Sequence, residues 1–181
     1  MGRRAALSGT PGTGKSTVAR LLTPSLSVVE VGDLGRRFDC ARMRGGGLEV
    51  DLPKLVRKLR SRPSRFHADI VVGHLAHLLP VRDVVVLRCH PVELERRLRS
   101  SRHGDMRSRR ENLLSETLNL VTAEAVGQRR RVFEVDTTGR RPSDVAREVA
   151  SWLRGPRPSR WGRVDWIADP AVTEQLLEWA G

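Results

Sequence analysis

"AALSGTPGTGKSTVARLL", residues 5–22, decides the fold. Its centre, "GTPGTGKS" (9–16), has the spacing G-x-x-x-x-G-K-[ST]. Gly9, Gly12 and Gly14 let the backbone turn tightly and approach an oxyanion closely. Successive N–H groups then form a nest for a phosphate, and the helix that follows points its positive end at the same group. In this pattern Lys15 reaches the β- and γ-phosphates, Ser16 is the Mg²⁺ ligand, and Thr17 serves the α-phosphate. "AALS" before the loop reads as a strand and "KSTVARLL" after it as a helix. The segment is therefore expected to be strand, phosphate loop and helix, a nucleotide site.

Outward from this segment the same alternation repeats. Strands are expected at Ala5–Leu7, Ser27–Val31, Ile70–Val72, Val84–Arg88 and Val132–Val135. "VVVL" (84–87) is apolar on both faces, as a central parallel strand is. Helices are expected at Lys15–Leu22, Leu52–Arg60, Pro91–Arg99, Arg110–Val126 and Pro142–Leu153. Pro91 suits a first-turn position, and Ser143 and Asp144 suit another. In the fourth helix Leu114, Leu118, Val121 and Ala125 share one face. Strand then helix, repeated, predicts an α/β, three-layer P-loop NTPase fold with a five-stranded parallel sheet and helices on both faces. Residues 1–154 form the kinase-like domain. "DCARMRGGGLEV" (39–50) reads as irregular and mobile, and "GPRPSRWGR" (155–163) as a linker. A tail helix completes 155–181.

Composition bounds the partners. The chain has 181 residues and a formal net charge of +12. Only Lys15, Lys54 and Lys58 are lysine, so 30 of the 33 basic residues are arginine. That balance suits an anionic partner such as nucleotide or rRNA. It equally suits a solvated basic surface. Cys40 and Cys89 are far apart and form no metal or disulfide pattern, which suits a reducing compartment. No stretch has the length of a membrane span or the pattern of a signal peptide, so a cytoplasmic location and no membrane partner are expected. All four tryptophans (Trp152, Trp161, Trp166, Trp179) fall in the last 30 residues. They either pack back onto the core or form a docking surface.

A short phosphate-loop chain excludes large motor and transporter ATPases. A small kinase needs an acceptor site and an arginine lid that excludes water. "VGDL" (31–34) follows the second strand, at the edge where ligands bind in open α/β sheets. Asp33 there is either an acceptor or Mg²⁺-water ligand, or a helix N-cap. "RSSRHGDMRSRREN" (99–112) carries Arg99, Arg102, Arg107, Arg109 and Arg110 before a long helix, the place for a lid (about 99–110).

"GTPGTGKST", "VGDL", "GHLAHLLP", "VVVLRCHP", "RENLLSE" and "VDTTG" stand in the order found in the adenylate kinase isoenzyme 6 family, and the chain resembles its archaeal members from Leu7 to Leu153. "VDW" (164–166) is similar to archaeal tails. The resemblance implies a nucleoside monophosphate kinase type of fold. It also implies a broad-specificity kinase, ATP + AMP to two ADP, with ATPase activity, acting in late maturation of the small ribosomal subunit. The implied partner is a small-subunit ribosomal protein of the uS11 type. Gly12, Gly14, Lys15, Ser16, Thr17 and Arg102 would bind ATP with Mg²⁺. Arg107 would occupy a lid position, an acceptor segment would span about 29–51, and "VDTTG" (135–139) would lie near adenine.

One position departs from that pattern. Family members place an acid two residues before the strand-end histidine. His74 fits the histidine, but the acid position holds Val72. Asp69 falls at the wrong end of the strand, so Asp33 is the expected substitute. His74 either orients a water or senses the γ-phosphate, or it is a strand-end histidine bonded to backbone. A His74/His77 metal pair lacks a third ligand. Three functions stay open: a nucleoside monophosphate kinase, a nucleotide-gated ribosome-assembly factor with little turnover, and a small-metabolite kinase. "VGDL" and "RENLLSE" argue against the last.

Overall fold

The computed structural model describes residues 4–44, 47–100 and 105–180. Five strands form a parallel sheet: β1 (Ala5–Ser8), β2 (Val28–Glu30), β5 (Ile70–Val72), β6 (Asp83–Arg88) and β7 (Arg131–Asp136), in spatial order β2-β5-β1-β6-β7. β1 is central, and β6 beside it is buried along its whole length. The apolar run "VVVL" therefore has packing on both faces, as its composition requires.

Two helical layers cover the sheet. On one face lie α1 (Lys15–Leu22) and α7 (Pro142–Arg154), through Val18, Ala19, Leu22, Val145, Val149 and Trp152. On the other lie α2 (Val31–Arg37), α3 (Leu52–Ser61) and α6 (Leu120–Gly127), through Leu34, Leu55, Leu59 and Ala125. A third cluster joins α4 (Pro91–Ser100), α5 (Met106–Thr117) and α8 (Pro170–Ala180), through Cys89, Leu94, Leu98, Leu113, Val172 and Trp179.

Several expectations change. The expected helix Arg110–Val126 is two helices, α5 and α6, broken at Leu118–Asn119, where Asn119 takes a left-handed φ of 56°. Leu118 is exposed, so the expected four-residue apolar face does not run through. The 39–50 stretch contains an antiparallel pair, β3 (Ala41–Arg44) and β4 (Gly47–Val50), with Ala41 opposite Val50. Gly35 of α2 lies against it, a Cβ there meeting Ala41 Cβ and Val50 at 3.1 Å. The second strand stops at Glu30, because Val31 begins α2.

Residues 155–163 do not hang free. Arg160 N–H donates to Val132 O (2.7 Å) and its carbonyl accepts from Glu134 N–H (2.9 Å), so the segment runs along the β7 edge. Trp152 Nε1 donates to Pro158 O (2.9 Å), and Arg157 Nη1 reaches the buried Asp83 at 2.5 Å. Of the tryptophans, Trp152 and Trp179 are buried, Trp166 is half-buried and Trp161 is exposed. Packing onto the core thus describes three of the four.

Candidate functional site

The phosphate loop leaves β1 at the carboxyl edge of the sheet and enters α1. At Gly9 φ is 138°, and a Cβ would meet Leu87 O at 2.3 Å, so only glycine lets the loop pass β6. Gly14 precedes α1 at φ 96°, a left-handed conformation with open space around it. Gly12 stands against Leu94 of α4. Thr13 is locked inside: its hydroxyl donates to Thr10 O (2.8 Å), and its carbonyl accepts from Thr137 Oγ1 (3.2 Å).

Lys15 Nζ folds over the loop and donates to Thr10 O at 2.8 Å. Burial pushes its pKa down to about 8, and the Glu116 carboxylate acts in the opposite direction. Ser16 is exposed in the first turn of α1, and its hydroxyl has no hydrogen-bond partner among the described residues. Beside it Thr17 lines a cavity of about 270 Å³ with Gly12, Gly14, Arg97, Thr137 and Arg140. Arg97 is fixed there by Glu93 (2.9 Å) and by Thr137 O (3.2 Å). Thr137 belongs to "VDTTG", so that motif does stand beside the loop. Arg97 and Arg140 escaped sequence reasoning, because "RR" and "GRR" stretches recur along the chain and only the fold singles out these two.

Beneath the loop lies a buried network. Glu116, from "RENLLSE", accepts from Thr10 Oγ1 (2.6 Å), Arg88 Nε (2.7 Å), Cys89 N–H (3.0 Å) and Trp166 Nε1 (3.2 Å). Arg88 also bonds Glu134 (2.7 Å) and Asn119 Oδ1. Glu134 accepts from Thr122 Oγ1 (2.9 Å) and Gly162 N–H (2.5 Å). Arginine and carboxylates are almost wholly buried here, so each depends on the others for charge balance. The network joins the phosphate loop to the tail. His90 adds a second tie, with Asp169 at 3.1 Å and an edge contact to Trp166.

The other candidates are placed as follows. His74 follows Gly73 at the end of β5, and its ring makes no hydrogen bond among the described residues. It is the His74 carbonyl that accepts, from Ser8 Oγ at 3.0 Å, so the backbone-bonded ring is not found. Partial burial, with the Lys15 and His77 charges, holds the His74 pKa below its usual value. His77 points elsewhere, buried between Ser8 Oγ (2.8 Å) and Glu124 (2.7 Å). No group of three metal-ligating side chains occurs among the described residues.

Asp33 is not the N-cap of α2. That position is Glu30, and Asp33 sits in the first turn, ion-paired with Arg36 at 2.7 Å. Asp69 bonds Ser27 N–H (2.9 Å) and hydroxyl (2.8 Å) just ahead of β5, at the edge away from the loop. Arg107 is 88% exposed and pairs with Glu111 at 3.0 Å, so it is not brought to the loop. Arg102 lies outside the described residues. Cys40 and Cys89 are free and buried, and burial pushes the Cys89 thiol up to about 11.

Comparison with known proteins agrees with this architecture. Residues 6–119 match the family model described as AAA domain. A protein of Thermococcus onnurineus named "Putative adenylate kinase" is 34% identical over 173 residues, covering 94% of this chain and 95% of the relative. A protein of the same name from Archaeoglobus fulgidus is 35% identical over 170 residues, covering 91% and 92%. Among solved structures, a sugar kinase from Janibacter sp. superposes with a TM-score of 0.56 at 18% identity, over 84% of this chain and 95% of that one. The shikimate kinase of Bacteroides thetaiotaomicron gives 0.50 at 15% identity, over 84% and 98%. These two likenesses concern the fold alone. With so high a coverage by its archaeal relatives, the chain belongs to the adenylate kinase isoenzyme 6 family, within the phosphate-loop kinase fold.

Proposed function

We propose that this chain is a broad-specificity nucleoside monophosphate kinase, converting ATP and AMP to two ADP, with ATPase activity beside it. The observation that carries the proposal is the phosphate loop with its desolvated Lys15, opening beside a cavity walled by Arg97 and Arg140. Loop N–H groups and the α1 dipole hold the β-phosphate, and Lys15 leaves Thr10 O to meet the β- and γ-oxygens. Thr17 bonds the α-phosphate, and Thr137 lies near the base. The exposed, unpartnered Ser16 hydroxyl fits Mg²⁺, which when bound offsets phosphate charge. Phosphoryl transfer needs positioning and charge stabilisation more than covalent help from the protein. Arg102 and Arg107 close over the transferring group when acceptor binds. Asp33, in the acceptor segment of about 29–51, contacts the monophosphate nucleoside. His74 orients the water in hydrolysis.

The same reading places the protein in the cytoplasm, in late maturation of the small ribosomal subunit. Its partner there is a uS11-type ribosomal protein, with rRNA against the basic surface. The +12 charge supports that role. No helix among the described residues is long and apolar enough to cross a membrane.

Val72 favours a second reading, a nucleotide-gated assembly factor with little turnover. ADP formation from ATP and Mg²⁺, with and without AMP, separates the two. AMP-stimulated turnover that is lost in Lys15→Ala supports the kinase. ATP binding without AMP stimulation overturns it in favour of the assembly factor.

A further inference from the structure

Phosphate-loop enzymes hold their metal with the loop Ser/Thr and an acid at a nearby strand end. Here the two strands flanking β1 end without a carboxylate: β5 in Val72-Gly73-His74, β6 in Arg88-Cys89-His90. The two outer strands do end in carboxylates: β7 in Asp136, which Thr138 already holds through its N–H (2.9 Å) and hydroxyl (2.6 Å), and β2, beside β5, in Glu30. We infer that Glu30 supplies the carboxylate of the Mg²⁺ site, one strand over from the position that Val72 occupies. The inference rests on the nucleotide reading above and names a metal-holding residue of the same site.

Register makes the substitution geometric. Glu30 pairs with Val72 in parallel, as Val28 pairs with Ile70. Paired residues in a parallel ladder project to the same face, with strands about 4.8 Å apart. Val72 packs in the cluster under α1 with Val18 and Ala19, and Val28 packs against the same cluster. By alternation Glu30 projects toward the α1 side, at the carboxyl edge where Ser16 opens that helix. A glutamate reaches roughly 1.5 Å further than an aspartate, about one C–C bond. Mg²⁺ keeps several waters and takes one or two carboxylates along with phosphates, so a bound water spans what remains.

The junction is also closely packed. Gly73 lies against Val31, where a Cβ would stand 2.7 Å from Val31 Cγ2. This close packing ties the end of β5 to the β2–α2 corner and holds Glu30 beside Val72. Glu30 is exposed, makes no capping bond to α2, and has no ion pair among the described residues. Asp33 and Asp69, the other acids of this region, are already engaged by Arg36 and Ser27.

The test uses Mn²⁺ in place of Mg²⁺, its binding to the ADP-saturated protein read by electron paramagnetic resonance. Nucleotide affinity without metal is measured in parallel by calorimetry. Glu30→Gln is an exposed, isosteric change that leaves folding intact. It is expected to weaken Mn²⁺ binding about tenfold and to leave metal-free ADP affinity unchanged. Mn²⁺ binding equal to wild type overturns the inference and leaves the nucleotide reading standing. So does a loss seen in Asp33→Asn but not in Glu30→Gln. Absence of ADP binding by the wild type, with or without metal, overturns both.

Discussion

Lys15 carries opposite consequences for stability and for binding. Its folded-state pKa of about 8 lies below the ordinary 10.5. Between those values the unfolded chain binds more protons than the folded one. Stability of the unliganded protein therefore rises with pH across that window, and the destabilisation is fully present below pH 8. Replacing Lys15 with Met removes the desolvated charge and keeps the stem. Thermal melts at pH 7 should show Lys15→Met more stable by on the order of 1–3 kcal/mol, while ATP binding is lost. In the wild type the free lysine loses its proton as pH rises past 8. ATP affinity should therefore be weaker at pH 9 than at pH 7, as a calorimetric titration at both values checks.

At the scale of elements, the break between α5 and α6 is set by Asn119. Its left-handed φ of 56° is tolerable for asparagine, and its side chain accepts from buried Arg88. Asn119→Ala loses both advantages and should cost roughly 2–3 kcal/mol by chemical denaturation. Asn119→Gly keeps the backbone freedom and should cost less. This break was not legible in "LLSETLNLVTAEAV", because helical periodicity reports one face of one helix. The reason for the break sits on β6, at Arg88. The strands and the loop were legible, since apolar runs and glycine spacing are local signals. The β3–β4 pair was hidden by its polar, glycine-rich composition; it is held by backbone register and by contact with Gly35. Glu30 was hidden differently: only the parallel pairing with Val72 gives it meaning, and that pairing joins residues 42 positions apart.

The molecule as a whole is closed by its C-terminal segment. Residues 155–163 cover the open edge of β7, which would otherwise present unpaired backbone groups. Arg157 and Arg131 together neutralise the buried Asp83. Truncation after Arg154 would uncover that edge, take Arg157 away from Asp83 and remove the Trp166 donor from Glu116. The truncated chain should lose at least 3 kcal/mol of stability and self-associate, as thermal melts and light scattering would show.

The tail's fastening to the loop network also decides what the molecule emits. The chain has four tryptophans and no tyrosine, so its ultraviolet fluorescence comes from the C-terminal segment. Trp166 is bonded to the same carboxylate that holds Thr10, while Trp161 is exposed. The indole spectrum is thus a built-in optical gauge of the phosphate loop, read through the Trp166–Glu116 bond.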